Sequence, residues 1–276
     1  MPSSVVALVL VAAICHAVWN AILKSQHDQF AGMFAQLAAA GMLAAAGAAW
    51  YGPPPREAWI WLAAGAAPRL CYYFFLAATY RRGDISVLYP MLRGAAPPLA
   101  AAGGFLLLHE TPPLLAACGI GIVSAGIFVM ARTRGANAGA IGFALATALC
   151  IASYSLADAK GARVSGDSVQ YVFWAMLLDS ACFMPLMLLG GRRRLRALSP
   201  RKWAAGAVGG ALSVAAYGLV LYAYTVAHVG MVAALRETSV VFGVLVGMFF
   251  LGEKKSAARI TGAIVIAAGA ALIAVS

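Results

Sequence analysis

Three arginines stand inside long apolar stretches of this sequence: Arg69, Arg93 and Arg236. Placing an arginine in an apolar membrane-type helix costs about 2.5–3.5 kcal/mol or more, so such residues usually face a polar interior and pair with an acid or a ligand. The acidic residues at comparable depth are Asp158, Asp179 and Glu237. These charges therefore form the first candidate site, for ion pairing or for binding an anionic group.

The sequence leaves two interpretations of these charges open. In the first, they form internal ion pairs between helices, because a buried charge needs a partner whatever the protein does. In the second, an arginine binds a ligand carboxylate through its two parallel N–H donors. Adjacent helix positions do not face each other, so we expect Glu237 to reach Arg93 or Arg69 across the bundle rather than its neighbour Arg236.

Polar residues also lie in the first apolar stretch. His16, Trp19 and Asn20 are spaced i, i+3 and i+4, which places them on one face of a helix. Tyr154 and Ser155 occupy the matching place in the second half of the chain. A histidine and an asparagine in an apolar helix need hydrogen-bond partners or water, so we expect this face to line a polar interior.

The composition predicts the environment of these elements. The 276 residues are 63% hydrophobic and 11% charged, with a mean hydropathy of +0.87, whereas soluble domains average about 45–50% apolar and about 25% charged residues. A soluble protein of this size cannot bury so much apolar surface. The composition therefore predicts an integral membrane protein and excludes soluble enzymes, nucleic-acid binders and disordered chains.

Apolar runs long enough to cross a bilayer, about 20 residues each, predict an all-α polytopic membrane protein. Ten runs are present, over residues 4–23, 30–50, 58–79, 85–108, 113–131, 138–157, 169–190, 203–225, 229–251 and 257–275. The first lacks the basic segment of a signal peptide, so we expect it to be retained as a helix.

The distribution of basic residues predicts the orientation. Fourteen Lys and Arg residues fall in one set of alternate loops, whereas the other set holds only Arg56, Lys160 and Arg163. Positively charged loops stay in the cytoplasm, so both termini are predicted to face away from it, towards the periplasm. The net charge of +11 is thus a topology and lipid-headgroup signal, and we expect no nucleic-acid partner.

The chain also repeats itself. Arg236 follows Arg93 by 143 positions, and the same shift aligns Glu110 with Glu253 and Gly126 with Gly269. The repeat predicts two five-helix units, residues 1–135 and 136–276. Because five is odd, the second unit enters the membrane from the opposite face, and such inverted repeats are a transporter architecture.

These features resemble the drug/metabolite transporter superfamily, in its ten-helix form with two EamA repeats. The motifs that carry the resemblance are HAVWNAILK at 16–24, FFLGEKKSAARITGAIVIAAGAALI at 249–273 and its counterpart LLLHETPPLLAACGIGIVSAGIFVM at 106–130. The resemblance covers essentially the whole chain, which is most similar to the YddG-like amino-acid exporters. One departure is that Glu253 follows a glycine, whereas Glu110 follows His109.

The resemblance implies that helices 1, 3, 4, 6, 8 and 9 surround a central cavity and that the others brace it. Apolar walls with a few polar anchors suit a zwitterion with a variable side chain. On this basis the predicted substrate-binding residues are His16, Trp19, Asn20, Tyr73, Tyr89, Arg93, Tyr154, Ser155, Tyr217, Arg236 and Glu237.

Five residues are assigned to gating or structure: Arg69, Pro90, Glu110, Asp179 and Glu253. Proline removes a backbone hydrogen bond and permits a kink, so Pro90 is a candidate hinge. Because the ninth helix has no proline, we expect the fourth to bend more. Glu110 and Glu253 lie at helix ends, where a cap or gate suits them better than substrate contact.

The resemblance implies export of small metabolites, and we expect amino acids, including aromatic and other neutral ones, moved by alternating access. A proton-coupled drug/metabolite antiporter is the alternative, with Asp179 or Glu237 as its membrane acid. An intramembrane enzyme is less favoured, because no GxSxG, HExxH or clustered His and Cys residues occur. We expect no cofactor or metal, a small-molecule substrate and the lipid bilayer as partners, a functional monomer, and location in a bacterial inner membrane.

Overall fold

The computed structural model describes residues 1–82, 85–130, 138–195, 198–249 and 256–276. Within these ranges the chain is all-helical, with no strand. The helices are α1 (Ser3–Lys24), α2 (Gln29–Tyr51), α3 (Arg56–Arg82), α4 (Ile85–Leu108), α5 (Leu114–Met130), α6 (Ala138–Ser165), α7 (Ser168–Leu195), α8 (Pro200–Val226), α9 (Val229–Arg236), α10 (Thr238–Phe249) and α11 (Ala257–Ala274). Since α9 and α10 are two parts of one predicted helix, the ten predicted spans are confirmed.

The spans have the length and apolar character that a bilayer requires. Over the described residues, eight helical segments are long and apolar enough to cross a membrane, including Val229–Phe249, which joins α9 and α10. The helix α5 is apolar but shorter, at 17 residues. The 27-residue helix α3 carries Arg69 near its middle, which lowers its hydropathy and indicates a helix that faces a polar interior.

The sixth helix is longer than the sequence predicted. It continues to Ser165, so Lys160 and Arg163 lie on α6 and not in the predicted loop after residue 157. The helix ends where Gly166 adopts a left-handed conformation, with φ of 74°, which glycine reaches without a steric penalty. Asp167 then caps α7 by accepting hydrogen bonds from the backbone N–H groups of Val169 and Gln170.

The ninth span is divided into two helices at Glu237, whereas the proline-containing fourth is assigned as one helix; the greater bend expected of the fourth stays a prediction. The helix α4 is continuous through Pro90, Pro97 and Pro98. The backbone of Glu237 instead makes i to i+3 hydrogen bonds, to the carbonyl of Ala234 and from the N–H of Val240. A tightened turn of this kind separates α9 from α10 without a proline.

The packing follows the repeat. The helix α3 lies along α6, and its counterpart α8 lies along α1; α5 packs against α11, and α2 packs against α7 and α8. We call the end of the bundle that carries both termini the terminal face. Interhelical bonds join the segments there: the side chain of Gln170 donates to the carbonyl of Tyr51, and Trp174 donates to that of Gly52.

The contact between α5 and α11 joins the two repeats through glycines. A Cβ atom at Gly126 would lie 2.8 Å from the nitrogen of Ile266 and 2.9 Å from the carbonyl oxygen of Gly262. A Cβ atom at the repeat-equivalent Gly269 would lie 2.8 Å from the carbonyl oxygen of Gly119. The backbones of the two helices therefore touch, as small residues permit in membrane helix pairs.

Replacing Gly126 by valine is expected to destabilise the fold by about 1–3 kcal/mol, the usual result of forcing extra atoms into close packing. The measurement is thermal unfolding of the detergent-solubilised protein. Gly121→Val is the matched control, because a Cβ atom at Gly121 on the same helix meets nothing within 4 Å. Equal stability of the two variants would contradict a close backbone contact.

Candidate functional site

A central cavity of about 210 Å³ lies between the two repeats, lined by residues of α1, α3, α4, α6, α7, α8 and α9. Seven of the predicted substrate-binding residues line it, together with Arg69 and Asp179, which the sequence assigned to structure or gating. The nine residues are His16, Trp19, Arg69, Tyr73, Arg93, Tyr154, Asp179, Tyr217 and Arg236.

Four predicted binding residues lie outside the lining. The side chain of Asn20 donates to the carbonyl of His16 on its own helix, and Tyr89 packs against the apolar cluster around Leu88. Ser155 and Glu237 are buried behind the cavity wall, each with 1% of its surface exposed. Pro90 and Glu110 also lie outside the lining, and Glu253 falls outside the described residues.

The structure adds α7 to the cavity wall. Met176 and Asp179 on this helix line the cavity, although the resemblance implied that α7 only braces the bundle. Tyr72, Ile151 and Val220 line it as well. The single sequence signal for α7 is the charge of Asp179, because apolar lining residues are indistinguishable from lipid-facing ones by type.

In the wall of the cavity, Arg69 pairs with two carboxylates, forming what we call the acidic cluster: Arg69, Asp158 and Asp179. The Nη1 group of Arg69 donates to both carboxylate oxygens of Asp179 at 2.8 Å, and Nη2 donates to Asp158. Asp158 also accepts hydrogen bonds from the hydroxyls of Tyr217 and Tyr171. With two acids and one arginine, this cluster has a formal charge of −1.

A second group of charges, which we call the basic cluster, comprises Arg93, Arg236 and Glu237, and within it Arg93 pairs with the carboxylate. The Nε atom of Arg93 lies 2.8 Å from Oε2 of Glu237, and its Nη2 group donates to the hydroxyl of Ser239. Glu237 thus reaches Arg93 across the bundle, one of the two partners expected from the sequence. The formal charge of this cluster is +1.

Arg236 differs from the other two cavity arginines. Among the described residues it has no carboxylate within 4.0 Å, whereas Arg69 and Arg93 each form an ion pair. Its Nε atom is buried without a hydrogen-bond partner, as is that of Arg93. The residue is only 8% exposed and lines the cavity. A buried guanidinium with unused donors is a binding site for a carboxylate or another anion.

Aromatic rings complete the wall between the clusters. The guanidinium carbon of Arg69 lies 5.1 Å from the ring centre of Tyr154 and 5.6 Å from that of Tyr217, within cation–π range. On α1, His16 and Trp19 pack edge to face, with ring centres 5.0 Å apart. Apolar rings with polar groups at either end favour a small amphipathic molecule with a charged backbone.

Glu110 links helix ends at the terminal face. Its Oε1 atom accepts a hydrogen bond of 2.6 Å from Arg163, and Oε2 accepts one of 2.7 Å from the backbone N–H of Val229, the first residue of α9. Arg163 also donates to the carbonyls of Tyr224 and Ala227. The carboxylate and the guanidinium therefore cap two helix ends of the second repeat, where their charges suit the helix dipoles.

The geometry contains no candidate metal centre in the part of the chain that is described, because nowhere do three His, Cys, Asp or Glu side chains come together to hold an ion.

Comparison with known proteins identifies the family. The sequence model of the EamA-like transporter family matches residues 3–132 and again 138–275, so nearly the whole chain is covered by two copies. The chain belongs to this family. It is a multi-pass membrane protein of the drug/metabolite transporter superfamily, built from two EamA repeats.

The fold is also known from solved structures. One, described only as "Crystal structure of protein", is similar with a TM-score of 0.72 over 99% of this chain and 96% of that one, at 17% sequence identity. At this identity the similarity shows the fold alone. No curated protein matches the sequence. The substrate class is therefore inferred from the chemistry of the residues that line the cavity.

Replacing Glu110 by alanine is expected to loosen the terminal face of this EamA transporter. Two charge-assisted hydrogen bonds are lost, one from a guanidinium and one from a backbone N–H, and the loss of one such bond corresponds to about 1.5–3 kcal/mol. Backbone amides of residues 227–236 should therefore exchange hydrogen about tenfold faster or more, as measured by mass spectrometry. Glu57→Ala, an exposed acid at the start of α3, is the control. Unchanged exchange in Glu110→Ala would mean that the terminal face closes without this carboxylate.

Proposed function

We propose that this protein exports small metabolites, most plainly amino acids including aromatic and other neutral ones, by alternating access around the central cavity. The observation that carries the proposal is Arg236, a buried cavity arginine whose Nε has no partner among the described residues. A substrate carboxylate supplies the missing acceptor in two-pronged geometry.

The size and lining of the cavity support a small substrate. Its volume of about 210 Å³ is below the range of about 300–1,000 Å³ that is typical of sites for drug-sized ligands. The rings of Trp19, Tyr73, Tyr154 and Tyr217 offer apolar contact to a neutral or aromatic side chain. An amino acid combines these two requirements with a carboxylate.

The proposal includes the cellular setting. The excess of basic residues at the face opposite the termini favours a bacterial inner membrane, with both termini in the periplasm. Two five-helix repeats enclose the cavity within one chain, which supports a functional monomer. Glu110 and Arg163 would then close the periplasmic side in the conformation described here.

A proton-coupled drug/metabolite antiporter is the second candidate. The observation that favours it is the carboxylate of Asp179, which lines the cavity and pairs with Arg69. Exchange of a proton for a cationic substrate at this acid is the chemistry of such antiporters. The size of the cavity and the unpaired Arg236 favour amino-acid export over this alternative.

The test is transport by purified protein in liposomes, with a panel of labelled amino acids, in the presence and absence of a pH gradient. We expect uptake of several neutral amino acids that does not depend on the gradient. Empty liposomes and the Glu57→Gln variant are the controls. Flux of cationic drugs only, and only with a gradient, would favour the antiporter. No amino-acid flux under any condition would overturn the proposal.

A further inference from the structure

The charges of the cavity are balanced as a whole but not locally. Three arginines face three acids, yet two of the acids belong to the acidic cluster and two of the arginines to the basic cluster. The acidic cluster therefore carries a formal charge of −1 and the basic cluster a formal charge of +1. An uncompensated charge in a low-dielectric site favours a ligand group of opposite sign.

The two acids of the acidic cluster differ in their exposure and in their hydrogen-bond partners. Asp158 is 1% exposed and accepts hydrogen bonds from Arg69, Tyr171 and Tyr217. Asp179 has a side chain that is 16% exposed, lines the cavity and, in the described part of the chain, accepts only from Nη1 of Arg69. Each carboxylate oxygen accepts two hydrogen bonds, so Asp179 retains acceptors for a donor in the cavity.

The two clusters border the same space. The rings of Tyr154 and Tyr217 lie against the guanidinium of Arg69, and both tyrosines line the same cavity as Arg236. Arg69, Asp179 and Arg236 line this one cavity. A small molecule bound in it is therefore offered side chains of both charges.

We propose that Asp179 is the subsite for the ammonium group of the substrate, while Arg236 takes the carboxylate. The inference rests on the proposed function and deepens it, because it makes the cavity selective for zwitterions. A bound zwitterion neutralises each cluster separately. A deaminated acid leaves the acidic cluster uncompensated, and a decarboxylated amine leaves the basic cluster uncompensated, so both should bind more weakly.

The experiment compares three molecules with the same side chain as competitors of labelled amino-acid uptake in liposomes. The amino acid is the one that the uptake panel shows to be moved best; for phenylalanine the analogues are 3-phenylpropanoate and 2-phenylethylamine. In the unaltered protein we expect the amino acid to compete at least about tenfold better than either analogue. In the Asp179→Asn variant we expect the amino acid to compete about tenfold more weakly than in the unaltered protein. The deaminated acid should compete equally well or better.

Two further variants keep the test decisive. Glu57→Gln removes an exposed acid outside the cavity and should leave all three inhibition constants unchanged. If Asp179→Asn does not insert into the membrane, Asp179→Glu takes its place in the test. Its displaced carboxylate should weaken binding of the amino acid and leave binding of the deaminated acid unchanged. Arg69 keeps Asp158 as a partner, so we expect the asparagine variant to fold.

The outcomes separate this inference from the proposed function. If amino acids are moved but the deaminated acid competes equally well, or if neither Asp179 variant alters the ratio of the inhibition constants, the ammonium subsite is overturned and amino-acid transport stands. If no amino acid is moved at all, the proposed function fails, and the subsite fails with it.

Discussion

Replacing Arg236 by alanine is expected to reduce amino-acid uptake at least about tenfold while leaving the fold as stable as before or more so. A charge-assisted hydrogen bond to a carboxylate contributes about 1.5–3 kcal/mol, and 1.4 kcal/mol corresponds to a factor of ten in binding. Because no acid lies within ion-pair distance of Arg236 among the described residues, its removal leaves no carboxylate unpaired: Glu237 keeps Arg93.

Uptake into liposomes and thermal unfolding in detergent measure the two parts of this prediction. Arg236→Lys keeps the charge but loses the planar pair of donors, so it should recover only part of the uptake. Arg201→Ala, which removes an exposed arginine at the start of α8, is the matched control. Full activity of Arg236→Ala would exclude this residue as the carboxylate site.

Replacing Arg69 by methionine is expected to lower the stability of the fold by about 3–5 kcal/mol, unlike the replacement of Arg236. Removing one partner of a buried ion pair leaves the other charge uncompensated, and here two carboxylates lose their arginine at once. We expect a large decrease in the amount of inserted protein and in its unfolding temperature, measured by fluorescence-detected size exclusion.

A compensating variant distinguishes electrostatics from packing. Replacing Asp158 and Asp179 by asparagine in the Arg69→Met background removes the uncompensated charges, so stability should recover in large part while amino-acid uptake stays absent. A single Arg69→Met variant as stable as the unaltered protein would show that the acidic cluster does not hold α3, α6 and α7 together.

The sequence was sufficient to predict the spans and the repeat, because apolar runs and their spacing are local properties of the chain. The same reasoning limited the partners of Glu237 to two arginines, since few buried charges exist to choose from. It could not assign both Asp158 and Asp179 to Arg69, because these acids lie 89 and 110 positions away from it, respectively, and only the packing of three helices brings them together.

Other features had no signal in the sequence. Apart from Asp179, the membrane-spanning part of α7 is largely apolar, so its pattern does not distinguish a cavity face from a lipid face. Arg163 was placed in a loop because charged residues there resemble a helix end, whereas α6 continues to Ser165 and ends at the left-handed Gly166. The break at Glu237 depends on tertiary packing, since no proline or glycine marks it.

The glycine contact between α5 and α11 has a consequence for the origin of a cavity with two unlike ends. The contact is isologous: each half offers the same surface to the other, as two separate copies of a five-helix unit would. A true twofold axis would make both ends of a site between such copies identical. Joining the halves in one chain lets them diverge, and here α6 and α7 carry Asp158 and Asp179, whereas their counterparts α1 and α2 contain no acid. Duplication within one chain thus allows the two sides of the cavity to carry different charges, which two identical copies could not.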